Sequence, residues 1–219
     1  EVVWEDDETK PQPAVQKATK LISEGAVMIF GSGSSAATLA VMNVTTQRKI
    51  PQLVTISADD KITLPGGSRY VFRTSNNLDS ENRMTNAYMQ DRKLKKIYAV
   101  TADYQATRDS FTAIKKQAEQ DGIQIISEDF ASLGNRDYSS TVDKVAKSDA
   151  DGVLLVMTGS DVVTFLKQAG QVNLGKTKVI FGPVVADETM TPAVGPAALG
   201  INSGLRYHYS IDNAANKKF

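Results

Sequence analysis

Helical and strand-like hydrophobic patterns alternate along this chain almost without exception, and that regularity restricts it to an α/β fold on mostly parallel sheets. Strands at 2–5 and 27–30 flank a helix expected from about Pro13 to Glu24, whose proline falls in the first turn, where no N–H is needed. A helix after Ser34 and Ser35 and a strand at 53–56 follow. Leu64-Pro65-Gly66-Gly67-Ser68 reads as a turn, and 70–74 as an isolated strand-like run. The series resumes with helix 79–93, strand 97–101, helix 108–121, strand 123–129, helix 139–147 and strand 152–157. Helix 160–171, strand 178–181, a helical piece near 188–198 and strand 204–209 complete it, with a further helix beginning near Asn216. The irregular stretch around 70–78 separates two such series, so the lobe boundary is placed there.

The chain has 219 residues, enough for two cores of ordinary size. Its 25 basic and 25 acidic residues cancel, so no global field draws nucleic acid or an acidic membrane surface, and a small neutral or zwitterionic partner fits better. With no cysteine, disulfide frameworks and thiolate metal sites are excluded. Apolar runs such as Val153 to Met157 are too short to cross a bilayer. Both ends read as cut within an element, and a signal peptide is expected in what precedes Glu1.

Strand 27–30 runs into Gly31-Ser32-Gly33-Ser34-Ser35-Ala36 and then a helix, which matches the dinucleotide fingerprint G-x-G-x-x-A. That fingerprint expects the first strand of the fold and an acid at the tip of the next one, whereas Leu53-Val54-Thr55 carries none. Two other readings stand beside it: a helix N-terminus with two hydroxyls that seats a carboxylate, and Ser as a plain N-cap. Ser57-Ala58-Asp59-Asp60 closes the next strand, with Asp59 either a ligand partner or a turn residue and Asp60 a solvated turn residue. Thr101 to Gln105 and Met157 to Asp161 are again strand ends that open helices, and the four ends together describe a polar crevice. No Ser-His-Asp set, Walker A sequence, H-E-x-x-H or Cys/His cluster is present. The lone His208 reads as a structural or surface residue rather than a base. No cofactor and no metal is expected.

Several short landmarks occur in order: Glu5-Asp6-Asp7-Glu8 with Pro11, Phe30-Gly31 to Ser34-Ser35, Ile50-Pro51 to Ser57-Ala58, and Tyr70-Val71-Phe72-Arg73-Thr74. Lys95-Lys96-Ile97-Tyr98, Asp103-Tyr104, Asp137-Tyr138-Ser139, Ala150-Asp151-Gly152-Val153, Phe165 to Ala169 and Phe181-Gly182-Pro183 continue the set over nearly the whole chain. The chain thereby resembles the type I periplasmic binding proteins for branched-chain amino acids and amides, the leucine/isoleucine/valine-binding group of ABC transporter substrate-binding proteins. The resemblance implies two doubly wound lobes that close on a ligand by a hinge. It places lobe I, incomplete, at 1–74 with 210–219 returning to it, and lobe II at 75–209. It also implies a signal peptide, a periplasmic location (or an extracellular, membrane-anchored one in a Gram-positive organism), a membrane permease as partner, a monomer and no catalysis. The positions of the family's lobe-I disulfide fall on Thr9 and Ser34, so that bridge is missing.

Carried over by resemblance, the ligand contacts fall on Ser35, Ser57, Ala58 and Asp59 in the first lobe and on Ala106, Thr158 and Val184 in the second, with Tyr104 close enough to stack or donate. Val184 stands where the amino-acid binders carry an acid for the ammonium, and Ala106 and Thr158 where they carry tyrosines. The ligand implied is a small polar organic molecule, amino-acid-like, an aromatic or aliphatic carboxylate, an amide or urea-like. Unless Asp59 takes over the ammonium, it lacks one. The alternatives are a ligand-sensing regulatory domain on the same fold and a Rossmann-like nucleotide-dependent enzyme.

Overall fold

The computed structural model describes residues 1–63, 66–186 and 190–218, and its contacts divide the chain into two compact units, Glu1–Ser80 and Glu81–Phe219. Leu64 and Pro65 of the expected turn, the start of the helical piece near 188, and Phe219 lie outside the described residues.

In the first unit, α1 (Pro11–Ser23) begins on a proline and buries Ala14 and Ala18. α2 (Ser35–Arg48) is capped by Ser34, whose Oγ accepts the Ala37 N–H at 3.4 Å, and stops at Lys49 in the left-handed region (φ 58°). β1 (Ile29–Phe30), β2 (Gln52–Val54) and β3 (Val71–Arg73) form a parallel sheet in that order. The run at 70–74, isolated by pattern, is therefore its third strand, because pairing with β2 is a long-range event that no local signal carries. One face packs on the helices through Ile29, Val54 and Val71. Buried Gln52 fastens β2 to α2 by accepting from Thr45 Oγ1 at 2.9 Å and donating to the Thr38 carbonyl at 3.3 Å. On the other face the register aligns Phe30, Leu53 and Phe72 in one row, and both phenylalanines are more than half exposed.

Residues 2–5 do not form the expected strand. Val2, Val3 and Trp4 are exposed, and among the described residues no strand lies beside them to take their backbone bonds. Glu5 instead ties this segment to α1 through Lys17, at 2.7 Å, and Lys20. Those two hydrogen-bonded ammonium groups hold its carboxyl down at about 2.

In the second unit α3 (Leu78–Asp91, begun at the end of the first), β4 (Lys96–Ala102), α4 (Gln105–Gln120), β5 (Gln124–Ala131), α5 (Ser139–Lys147) and β6 (Gly152–Val156) alternate as expected. α6 (Gly159–Gln171), β7 (Val179–Pro183), α7 (Thr191–Val194) and β8 (Asn202–Gly204) follow. The five strands are parallel in the order β5-β4-β6-β7-β8. Ile97, Ala99, Leu154 and Val156 pack under α3 and α4, while Tyr98, Val100, Val153 and Leu155 pack under α5 and α6. Burial on both faces is why these strands read as continuous apolar runs. Gly182 of β7 is required by close approach, since a Cβ there would lie 2.1 Å from the Leu155 carbonyl oxygen.

The strand expected at 204–209 stops at Gly204. Gly204 sits against Met84, whose Cε would lie 2.1 Å from an added Cβ, and beyond it Tyr207 and Tyr209 are exposed and outside any strand. The alternation Leu205-Tyr207-Tyr209 mimicked a strand without a sheet to join.

Candidate functional site

In the first unit the segment leaving β2 runs beside the N-terminus of α2, and hydroxyl groups weld the two together. Thr38 Oγ1, one turn into the helix, lies 2.6 Å from Ser57 Oγ. Both reach the Ser32 carbonyl, at 3.3 and 2.8 Å. Ser57 is 2 % exposed, so its hydroxyl, expected to touch a ligand, is spent inside the protein and sets the position of the segment. What remains open there is backbone. Among the described residues nothing accepts from the N–H of Ser57 or Ala58, although Ala58 is only 7 % exposed. Buried N–H groups are nearly always paired, so two adjacent ones without a protein partner mark a place for an external acceptor.

Ser35 and Asp59 are brought together at this shelf. Ser35 Oγ accepts the Asp59 N–H at 3.3 Å, and the Asp59 carboxylate accepts the Lys61 N–H at 2.9 Å, capping the short 3-10 turn Asp60–Ile62. The first N–H groups of α2 stand beside the same segment and add the positive end of a helix dipole. The shelf can therefore hold an oxyanion by backbone donors.

In the second unit β4 pairs with β5 on one side and β6 on the other, so the chain changes direction at the carboxyl ends of β4 and β6. Ligands of open α/β sheets bind at such a switch point. Tyr104 and Ala106 follow β4, and Thr158 follows β6, so three expected residues flank this one location. Tyr104 and Thr158 occupy the N-cap positions of α4 and α6, and neither side chain caps its helix. Tyr104 packs its ring on the core, and its hydroxyl makes no hydrogen bond among the described residues. Ala106 and Thr158 are exposed. Val184 follows β7 with φ of 51°, an outlying conformation for a β-branched residue, held by its N–H donating to the Gly204 carbonyl at 3.0 Å.

Sequence patterns missed two residues that shape these ends. Thr38 carries no motif, and its bond to Ser57 spans 19 positions. Asp161, 2 % exposed, accepts from the Tyr138 hydroxyl at 3.0 Å and from the Gly134 N–H at 3.0 Å, lashing the loop after β5 to the first turn of α6. Burial beside that carboxylate pushes the Tyr138 phenol well above its ordinary range.

Backbone donors and hydroxyls stand at both sets of strand ends, and the carboxylates there are engaged within the protein, Asp59 with the Lys61 N–H, Asp103 with Arg108 and Asp161 with Tyr138 and Gly134. Among the described residues no cluster of His, Asp and Glu could hold a metal ion, and no helix is long and apolar enough to cross a membrane. His208, whose Nδ1 lies 2.6 Å from Ser210 Oγ, is on the segment after β8.

Known proteins share this architecture. A homolog of the Leu/Ile/Val-binding proteins from Brucella melitensis biotype 1 is 27 % identical over 225 aligned residues, which cover 100 % of this chain and 57 % of the relative. A solute-binding protein of an ABC transporter from R. palustris, solved with benzoate, superposes with a TM-score of 0.85 at 29 % identity, covering 98 % of this chain and 59 % of that one. Another, from Rhodopseudomonas palustris BisB5 and solved with 3,4-dihydroxybenzoic acid, gives a TM-score of 0.86 at 27 % identity, covering 100 % of this chain and 61 % of that one. The chain thus spans about three fifths of the length of these relatives. Its parallel α/β sheets are those of the type I binding-protein neighbours, and the periplasmic binding protein profile matches residues 1–219, so the chain belongs to the periplasmic binding protein family.

Proposed function

We propose that the chain is the ligand-binding part of a solute receptor that delivers a small carboxylate-bearing organic molecule to an ABC-type importer. The observation that carries this reading is the pair of N–H groups at the buried residues Ser57 and Ala58, without an acceptor among the described residues, beside the N-terminus of α2. Such a shelf stabilises an anion without a proton-transfer group, which suits retention rather than turnover. The aromatic acids bound by the two R. palustris proteins are of the chemical class this shelf favours.

The ligand proposed lacks an α-ammonium. Val184 offers no carboxylate, and that of Asp59 already caps its own turn. Ser35 and the backbone of Ser57 to Asp59 anchor the acid group, while Tyr104, Ala106, Thr158 and Val184 contact the rest of the ligand. The lobes of this reading are 1–74 with 210–219, and 75–209. The working location is the periplasm, or the extracellular side, membrane-anchored, in a Gram-positive organism, with the permease as partner and the receptor as a monomer.

A thermal-shift screen of the full-length protein against benzoates, branched-chain amino acids, amides and urea tests the proposal. A ligand present at about 100 times its dissociation constant stabilises the folded state by about 2.7 kcal/mol. Absence of any shift across the panel, or steady chemical conversion of the bound molecule, would refute it.

A further inference from the structure

We infer that Arg73 is a positioning residue whose charge makes the shelf at Ser57 to Asp59 select anions over neutral molecules; this rests on the ligand-binding reading above. Arg73 ends β3, and the parallel register pairs it with Val54, the last residue of β2, from which the shelf departs. Its guanidinium spans the turn: Nη1 donates to the Asp59 carbonyl at 2.8 Å and Nη2 to Thr63 Oγ1 at 2.6 Å. Asp59 is thereby held at both backbone groups, its N–H by Ser35 Oγ and its carbonyl by Arg73. Fixing that residue fixes the peptide units on both sides of it and narrows the freedom of Ala58, whose N–H the ligand needs.

The charge is the second half of the argument. Arg73 is partly buried and forms no ion pair among the described residues, whereas Lys17 meets Glu5 and Arg206 meets Glu81 at 2.6 Å. The charged side chains on the turn it spans are Asp59, Asp60 and Lys61. Asp59 Oδ1 faces the Lys61 N–H, and Asp60 Oδ1 faces the Asp79 N–H at 3.5 Å. A partly dehydrated cation bonded only to neutral oxygens offsets the Asp59 and Asp60 carboxylates on the same turn, so that an anion at the shelf loses by its removal and a neutral isostere does not.

The test compares benzoate with benzamide by calorimetry on the full-length protein, on R73Q and on R73K, with each variant's melting temperature measured alongside. The unmodified protein is expected to prefer the acid. In R73Q, which retains an N–H donor, benzoate binding is expected to fall about tenfold while benzamide stays within about twofold. R73K keeps the charge and is expected to keep the preference for the acid, with weaker binding of both ligands through loss of the planar fork. Equal losses for acid and amide in R73Q would reduce Arg73 to structural support and overturn the inference while leaving the proposed function intact. If R73Q does not fold, R73K decides: loss of its acid preference overturns the inference. Failure of the unmodified protein to bind benzoate even at millimolar concentration overturns the inference directly, and the wider ligand panel then decides separately whether the receptor function survives.

Discussion

The Tyr138 hydroxyl donates to the Asp161 carboxylate at 3.0 Å, joining the loop after β5 to the helix that opens at Thr158. Both residues are almost wholly buried, and Asp161 also receives the Gly134 N–H. Asp161→Ala would strand a buried phenol and a backbone donor together, at a cost of about 2–4 kcal/mol. Tyr138→Phe removes one donor and leaves the carboxylate its Gly134 bond, so about 1–2 kcal/mol is expected. Urea denaturation of both variants checks the order; a Tyr138→Phe loss larger than that of Asp161→Ala would contradict it.

Ser35→Ala is expected to weaken binding of a carboxylate ligand by about 1–3 kcal/mol, through loss of a hydroxyl at the shelf and of the acceptor that orients the Asp59 N–H. Titration calorimetry reads the change directly. An unaltered dissociation constant in a normally stable variant would leave Ser35 as an ordinary first-turn residue.

An α-amino acid and its deaminated keto or carboxylic analogue form the matched pair that tests the missing ammonium site. The analogue should bind the unmodified protein more tightly. If the amino acid wins, and Asp59→Asn removes its advantage at a cost of about 3–5 kcal/mol, Asp59 is the ammonium partner after all.

Glu5 sets an acid-side pH dependence. Its carboxyl titrates at about 2 because Lys17 and Lys20 donate to the ionised form, against an ordinary value of 4.5. A lowered folded-state value means its stabilising effect is complete above the unfolded value and disappears as pH falls toward 2. Carboxyl NMR titration should find the low midpoint, and the pH profiles of unfolding for the protein and Glu5→Gln should converge at the acid end. A Glu5 midpoint near 4.5 would show the two lysine contacts to be transient in solution.

How far the sequence discloses this molecule depends on where each signal resides. The strands β4, β6 and β7 were legible because burial on both faces writes them as uninterrupted apolar runs, and Pro11 to Ser23 because its small apolar positions recur on one helical face. Val2 to Glu5 and Leu205 to Tyr209 show strand patterns too, but a strand exists only where a neighbour accepts its bonds. The segment Ser57 to Asp59 draws attention in the sequence by its position after β2; what no local pattern shows is that Thr38 and Ser32 claim the Ser57 hydroxyl and that Arg73 reaches the segment from another strand. Such assignments are made by the fold and leave no local trace.

The row Phe30, Leu53 and Phe72 has a practical corollary for anyone handling this polypeptide by itself. Two exposed aromatic rings in register with Leu53 between them on one face of a parallel sheet give an adhesive strip, since water gains by leaving it. In dilute buffer the strip should light up hydrophobic dyes and limit the concentration the chain tolerates, while Phe30→Thr and Phe72→Thr, which keep the strand preference and remove the grease, should raise that ceiling without disturbing the helices on the reverse face.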